Sequence, residues 1–127
     1  MGTIIAVANQ KGGVGKTTTA VNLSASIAIT EKRTLLVDMD PQCNASSGVG
    51  VSYNKVSSNI YDVLIGKKSM KEIVLETQVP YLDLAPSHPD LIGVEVELLE
   101  HLFDGFGTHV HFERVAEFLS GGLTRPR

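Results

Sequence analysis

"NQKGGVGKTTT", residues 9–19, is the stretch that decides how this chain is read. Gly12, Gly13 and Gly15 precede the pair Lys16-Thr17, and an apolar run, Thr3-Ile4-Ile5-Ala6-Val7-Ala8-Asn9, leads into them. Glycines let a backbone turn its N–H groups inward without Cβ interference, and a helix starting near Lys16 adds its positive dipole end at the same point. An anion site follows. Lys16 would reach the β- and γ-phosphates of a nucleotide as a point charge, and the Thr17 hydroxyl would be one ligand of the Mg2+ that bridges them. The competing reading is a glycine-rich turn with an incidental lysine, which the joint presence of three glycines, the Lys-Thr pair and a strand-to-helix context disfavours. The stretch also departs from the usual G-x-x-x-x-G-K-[ST] loop: Gln10 stands where its first glycine belongs, and a second lysine, Lys11, follows.

Outward from the loop, the apolar run 3–9 reads as a central parallel strand covered on both faces. From Lys16, the apolar positions Ala20, Leu23 and Ile27 recur at helical spacing, with Val21 and Ala28 widening the stripe, and Lys32-Arg33 close the helix. Thr34–Asp38 is a second buried strand ending in an acid, which completes a right-handed βαβ unit. Asp38 and Asp40 then lie at the carboxyl end of that strand, where open α/β sheets gather their ligand groups. An isolated acid there would be a solvated turn residue; beside a phosphate loop, one faces Mg2+ and the other the γ-phosphate side. Gln42–Ser58 reads as a polar loop. Asn59 caps a short helix through Ile60, Val63 and Leu64 that Gly66 stops, and Met70, Ile73 and Val74 suggest another helical turn or two. Tyr81–Ala85 is the third strand, Pro89 opens a helix with Leu91, Ile92, Val94 and Leu98 on its buried side, and Phe112–Leu119 is a further short helix. The expected class is α/β: a P-loop NTPase-type parallel sheet flanked by helices.

Composition narrows the alternatives. A chain of 127 residues is the size of one domain, and 43% apolar with 20% charged residues is a globular balance. Net charge is −3, which supplies no overall basic field for nucleic acid or anionic lipid. No apolar run approaches the ~20 residues of a membrane span, so the expected location is cytoplasmic. Cys43, the single cysteine, excludes an internal disulfide and reads as a small filler rather than a nucleophile. His109 and His111 would share a strand face, but two ligands do not make a metal site.

Three stretches carry a family resemblance: "KGGVGKTTTAVNL" at 11–23, "LLVDMDPQCNASSGVGV" at 35–51 and "SHPDLIGVEVEL" at 87–98. They resemble the ParA/Soj partitioning ATPases, within the deviant Walker A proteins that include MinD and the nitrogenase iron protein. The resemblance implies ATP and Mg2+ as ligands, with Lys11, Gly12, Gly13, Val14, Gly15, Lys16, Thr17 and Thr18 around the nucleotide. It implies that Lys11 is the signature lysine, sent across a sandwich homodimer to the other subunit's phosphates, where a cation offsets the charge that develops during transfer. By the same carry-over Lys16 is the P-loop lysine, Thr17 a Mg2+ ligand, Asp40 the residue that positions water for hydrolysis, and Asp38 a supporting carboxylate near the metal. It further implies a ParB/Spo0J-like centromere-binding partner and nonspecific DNA binding by the intact family, though the family's basic DNA-binding surface has no counterpart here; no membrane partner is expected.

The resemblance covers about residues 3–98, so residues 1–98 are expected to be the N-terminal part of a ParA-like nucleotide-binding domain and 99–127 a divergent tail. After the third strand the family carries a Walker B strand, and nothing from Leu99 onward resembles it. The expectation is a sheet cut short before that strand, with exposed apolar surface, weak nucleotide binding and little turnover. Two other readings stay open: an inactive nucleotide-binding fragment or interaction module, and a MinD-like membrane-associated switch. Against the latter, 112–119 is too short and too little basic for an amphipathic anchor.

Overall fold

The structure, a computed structural model, describes residues 2–7, 13 and 15–93. The helix expected after the glycine loop forms as α1, Lys16–Ile29. It ends without a glycine: the N–H groups of Thr30 and Glu31 turn back to Ile27 and Ala28, at 3.1 and 2.9 Å, and Glu31 takes a left-handed φ of 63°. The face that α1 buries is its small one, Ser24 and Ala28, flanked by half-buried Ala20, Val21 and Ala25. Leu23, expected on the buried stripe, is 39% exposed. Small residues bring the helix close to its neighbours. A Cβ at Gly48, in α2 (Asn44–Gly48), would stand 3.2 Å from Val21 Cγ2, so glycine there permits the contact between the two helices.

β1 (Thr34–Val37) pairs in parallel with β3 (Leu82–Ala85), from Thr34 opposite Leu82 to Val37 opposite Ala85. The two-residue β2 (Leu75–Glu76) pairs antiparallel on the far side of β3, and the order is β1-β3-β2. All four residues of the central strand are buried, because both of its faces are covered. Leu82 and Leu84 pack with Ala28, Leu36, Ala45 and Val49 on the α1 and α2 side. Ala85 lies on the other side with Ile60, Val63, Leu64, Met70, Ile73 and Leu91, from α3 (Ile60–Leu64), α4 (Met70–Ile73) and the turn beyond β3. Helices this short need fixed ends. Asn59 Oδ1 accepts from the Tyr61 N–H at 2.9 Å while Asp62 returns a bond to the Asn59 N–H, and Glu72 accepts from the Ser69 N–H at 2.7 Å. Such caps are worth about 1 kcal/mol each.

The class expected from the sequence holds, an α/β sheet with helices on its faces, with one short antiparallel strand added to it. Three expectations are corrected. Residues 3–7 of the supposed central strand form no strand, and Ile4, Ile5 and Val7 are 59%, 58% and 37% exposed. They pair with none of the described strands, and a strand without a ladder partner has nothing to satisfy its N–H and C=O groups except water. The polar stretch 42–58 is not a plain loop, since it holds α2 and a 3₁₀ turn at Tyr53–Lys55. In the helical turn after Pro89, Leu91 is buried as expected, but Ile92 points outward at 69% exposure. Val94, Leu98, His109, His111, the 112–119 helix and the boundary at 98/99 lie outside the described residues.

Candidate functional site

The short link from Ile29 to Thr34 forces α1 to run back along the sheet, antiparallel to β1. The amino end of α1 and the carboxyl end of β1 therefore meet at one edge of the sheet. At that edge Gly13 and Gly15 hold φ values of 70° and 88°. Nothing lies within 4 Å of where a Cβ would stand on either, so the backbone conformation, not crowding, calls for glycine. Gly15 gives α1 no side-chain cap, and the first turn carries no acid. The first N–H groups of a helix have no intrahelical acceptor, so an uncapped, acid-free end of a 14-residue helix suits a phosphate. Lys16 and Thr17 are half-buried there and Thr18 is exposed. Lys11, Gly12 and Val14 lie outside the described residues.

The carboxyl end of β1 is organised by a buried carboxylate. Asp38 is 2% exposed, and both of its oxygens are engaged. Oδ1 accepts from the Asp40 N–H at 3.0 Å, and Oδ2 accepts from the Ser46 N–H at 2.8 Å and the Ser46 hydroxyl at 2.6 Å. Asp40 is half-buried and turned outward: its Oδ1 accepts from the Gln42 N–H at 3.0 Å and its Oδ2 from Asn44 Nδ2 at 3.5 Å. Beyond β3, Ser87 is fully buried; its N–H donates to Ser46 Oγ and its hydroxyl to the Asp40 carbonyl. Ser46 and Ser87 lie within two of the stretches that carry the family resemblance, but sequence reasoning gave neither a role. Cys43 sits beside this network in a left-handed conformation, φ 58°, as the residue before α2. Burial pushes its thiol above the usual range, and the carboxylates of Asp38 and Asp40 add to the effect against a hydrogen bond with Ser87. The thiol is held neutral as a packing group.

Among the described residues no cluster of three or more His, Cys, Asp or Glu forms a metal cage. Mg2+ bound with a nucleotide needs none, because it keeps waters and takes one or two protein ligands besides the phosphates. A hydroxyl on Thr17 and an outward carboxylate on Asp40 are the kind of donors it uses. A glycine turn opening α1 beside the carboxyl end of β1 is the arrangement of the P-loop NTPase class.

Comparison with known proteins narrows that class. The AAA domain family matches residues 2–116, and the chain belongs to it. Over 99 residues the chain is 52% identical to the chromosome partitioning protein ParA of Myxococcus xanthus, covering 78% of this chain and 35% of that protein. It is 50% identical over 99 residues to the sporulation initiation inhibitor protein Soj of Bacillus subtilis, covering 78% and 39%. Among solved structures it resembles cobyrinic acid a,c-diamide synthase from Mycobacterium smegmatis, solved with bound ADP and magnesium. There the TM-score is 0.76 at 32% identity, over 87% of this chain and 44% of the other. The chain is thus a member of the ParA/Soj family of partitioning ATPases, and it spans a little over a third of the length of the curated relatives it matches. Among the described residues no helix is long and apolar enough to cross a membrane.

Proposed function

We propose that this chain binds ATP with Mg2+ and belongs to an ATPase that acts in chromosome or plasmid partitioning through an ATP-sandwich dimer. The observation that carries the reading is the shared edge, where the uncapped, acid-free start of α1 meets the outward Asp40 at the end of β1. In this reading Lys16 and the N–H groups of Gly13 to Thr18 bind the phosphates. Thr17 and Asp40 would hold the metal, which supplies charge neutralisation when bound, and Asp38 braces the Asp40 loop from behind. Asp40 also orients the attacking water as a hydrogen-bond acceptor. Lys11 reaches the phosphates of a second copy, so that dimerisation completes the site. A ParB/Spo0J-like centromere-binding protein and nonspecific DNA are the partners this reading entails, and the location is cytoplasmic.

A second reading, a module that binds nucleotide without hydrolysing it, is favoured by one observation: residues 3–7, the segment entering the loop, lie exposed outside the sheet. A thermal melt with and without Mg2+-ATP, paired with phosphate release, separates the two. Ligand at a hundred times Kd adds about 2.7 kcal/mol, enough for a shift of several degrees. The expected shift is lost in Lys16→Ala. A shift without phosphate release selects the second reading, and no shift in the unaltered chain refutes both.

A further inference from the structure

The hydrogen bonds around Asp40 close into a ring that no motif marks. Starting from Asp38, Oδ1 takes the Asp40 N–H; the Asp40 carbonyl takes the Ser87 hydroxyl; the Ser87 N–H donates to Ser46 Oγ; and the Ser46 hydroxyl returns to Asp38 Oδ2. The ring joins positions 41 and 47 residues apart in the chain, and Asp38, Ser46 and Ser87 are 2%, 0% and 0% exposed. Asp40 is the one member that reaches the surface. Its backbone is therefore held at both the N–H and the C=O by buried side chains, while its carboxylate alone is left outside.

We propose that Ser87 is a positioning residue for Asp40: its hydroxyl fixes the Asp40 carbonyl, and so aims the carboxylate at the edge where α1 begins. The assignment rests on the ATPase reading for its purpose but not for its geometry. Asp38 alone cannot do this. It holds the Asp40 N–H, and with the carbonyl released the residue is free to rotate about φ, swinging its side chain, while keeping that bond. A second bond on the carbonyl removes the rotation, because a hydrogen bond to a carbonyl is directional. The Cys43 N–H, which also donates to the Asp40 carbonyl at 2.9 Å, lies three residues on in the same turn and does not tie the carbonyl to β3. Ser87, directly beyond β3, does. The arrangement also makes Asp40 answer to β3, since any displacement of Ser87 moves the carbonyl and the carboxylate together.

The test uses the 127-residue chain in three forms: unaltered, Ser87→Ala, and Ser87→Thr, which keeps the hydroxyl. Amide hydrogen exchange is read at Asp40 and Cys43 and compared with Thr34 and Asp38, whose N–H groups bond to Tyr81 and Ala85 and report on the sheet itself. Losing one buried hydroxyl bond should raise exchange at Asp40 and Cys43 by about tenfold relative to Thr34 and Asp38. Ser87→Thr should restore the unaltered ratio. Should the extra methyl unfold the chain, Ser87→Cys, which keeps a weak donor at the same position, should give a ratio between those of the unaltered chain and Ser87→Ala. A second readout, Mg2+-ATP turnover, should show kcat falling about tenfold in Ser87→Ala at little-changed KM. Equal acceleration at all four amides would make Ser87 a general packing residue and overturn the proposal, as would unchanged exchange at Asp40. If the unaltered chain shows no turnover while the exchange ratio behaves as expected, hydrolysis by this chain is refuted and the hold on Asp40 stands.

Discussion

Replacing Asp38 by alanine should cost more stability than its place in the sequence, at a strand end next to a turn, would suggest. The substitution strips one acceptor from three donors, the N–H of Asp40 and the N–H and hydroxyl of Ser46, two of which lie on a fully buried residue. Each bond to an ionised acceptor contributes about 1.5–3 kcal/mol, and a buried donor left unmet costs about 1–3 kcal/mol. The three are not additive, because the Ser46 hydroxyl can rotate, so the expected loss is roughly 3–5 kcal/mol. Against a total of about 5–15 kcal/mol that is a large fraction. Asp38→Asn keeps one oxygen for Ser46 but sets its NH2 against the Asp40 N–H, donor to donor, and should lose less, about 1.5–3 kcal/mol. Urea unfolding followed by circular dichroism measures both, and at unchanged slope the alanine midpoint should fall by on the order of 2 M. An alanine variant within about 1 kcal/mol of the unaltered chain, or an asparagine variant worse than alanine, would refute the reasoning.

Further tests bear on the core, the caps and the thiol. Leu84→Ala, in the strand covered on both faces, should lose about 2–5 kcal/mol by urea unfolding, whereas Ile29→Ser on the exposed end of α1 should stay within about 0.5 kcal/mol. The Ser69 N–H, helped by the Ser69 hydroxyl, holds the Glu72 carboxyl below the usual glutamate range. A depressed folded value means that its contribution is present above the ordinary range and fades as pH falls through the folded one. The gap between the unaltered chain and Glu72→Gln should therefore close on acidification, and a gap constant with pH would count against the cap. Because burial raises the Cys43 thiol, it binds its proton more tightly folded than unfolded. Iodoacetamide at mildly alkaline pH should alkylate the folded chain far more slowly than the unfolded one, and equal rates would place Cys43 at the surface.

The parts legible in the sequence were those whose signal is local. Asn59 before an apolar helical run announces a helix cap whatever packs above it, and the apolar Thr34–Val37 run and the Gly15-Lys16 turn are similarly self-contained. α2 was hidden because Asn44, Ser46, Ser47 and Gly48 all favour turns in isolation. The helix forms because Ala45 and Ser46 are buried and Asp38 accepts from the Ser46 N–H near its start. For residues 3–7 the error ran the other way: β-rich composition says what a strand would be made of, not whether a partner is there to pair with it. The role of Ser87 could not be read either, since it depends on a contact with Asp40 across 47 positions.

The pairing of β1 with β3 bears on how the chain reaches its fold. Thr34 and Leu82, opposite each other in the ladder, stand 48 positions apart. Closing a loop of that length costs on the order of 3 kcal/mol in chain entropy before any ladder bond is made. Of the helices between the strands, α3 and α4 depend on local caps and can form early, while the ladder must wait for both ends of the loop. During synthesis, at about 5–20 residues per second, β1 would emerge seconds before β3 exists to pair with it. Until then Leu35, Leu36 and Val37 offer a bare edge to any extended segment nearby, so the same long-range pairing that builds the sheet also sets the interval in which the nascent chain is most open to wrong partners.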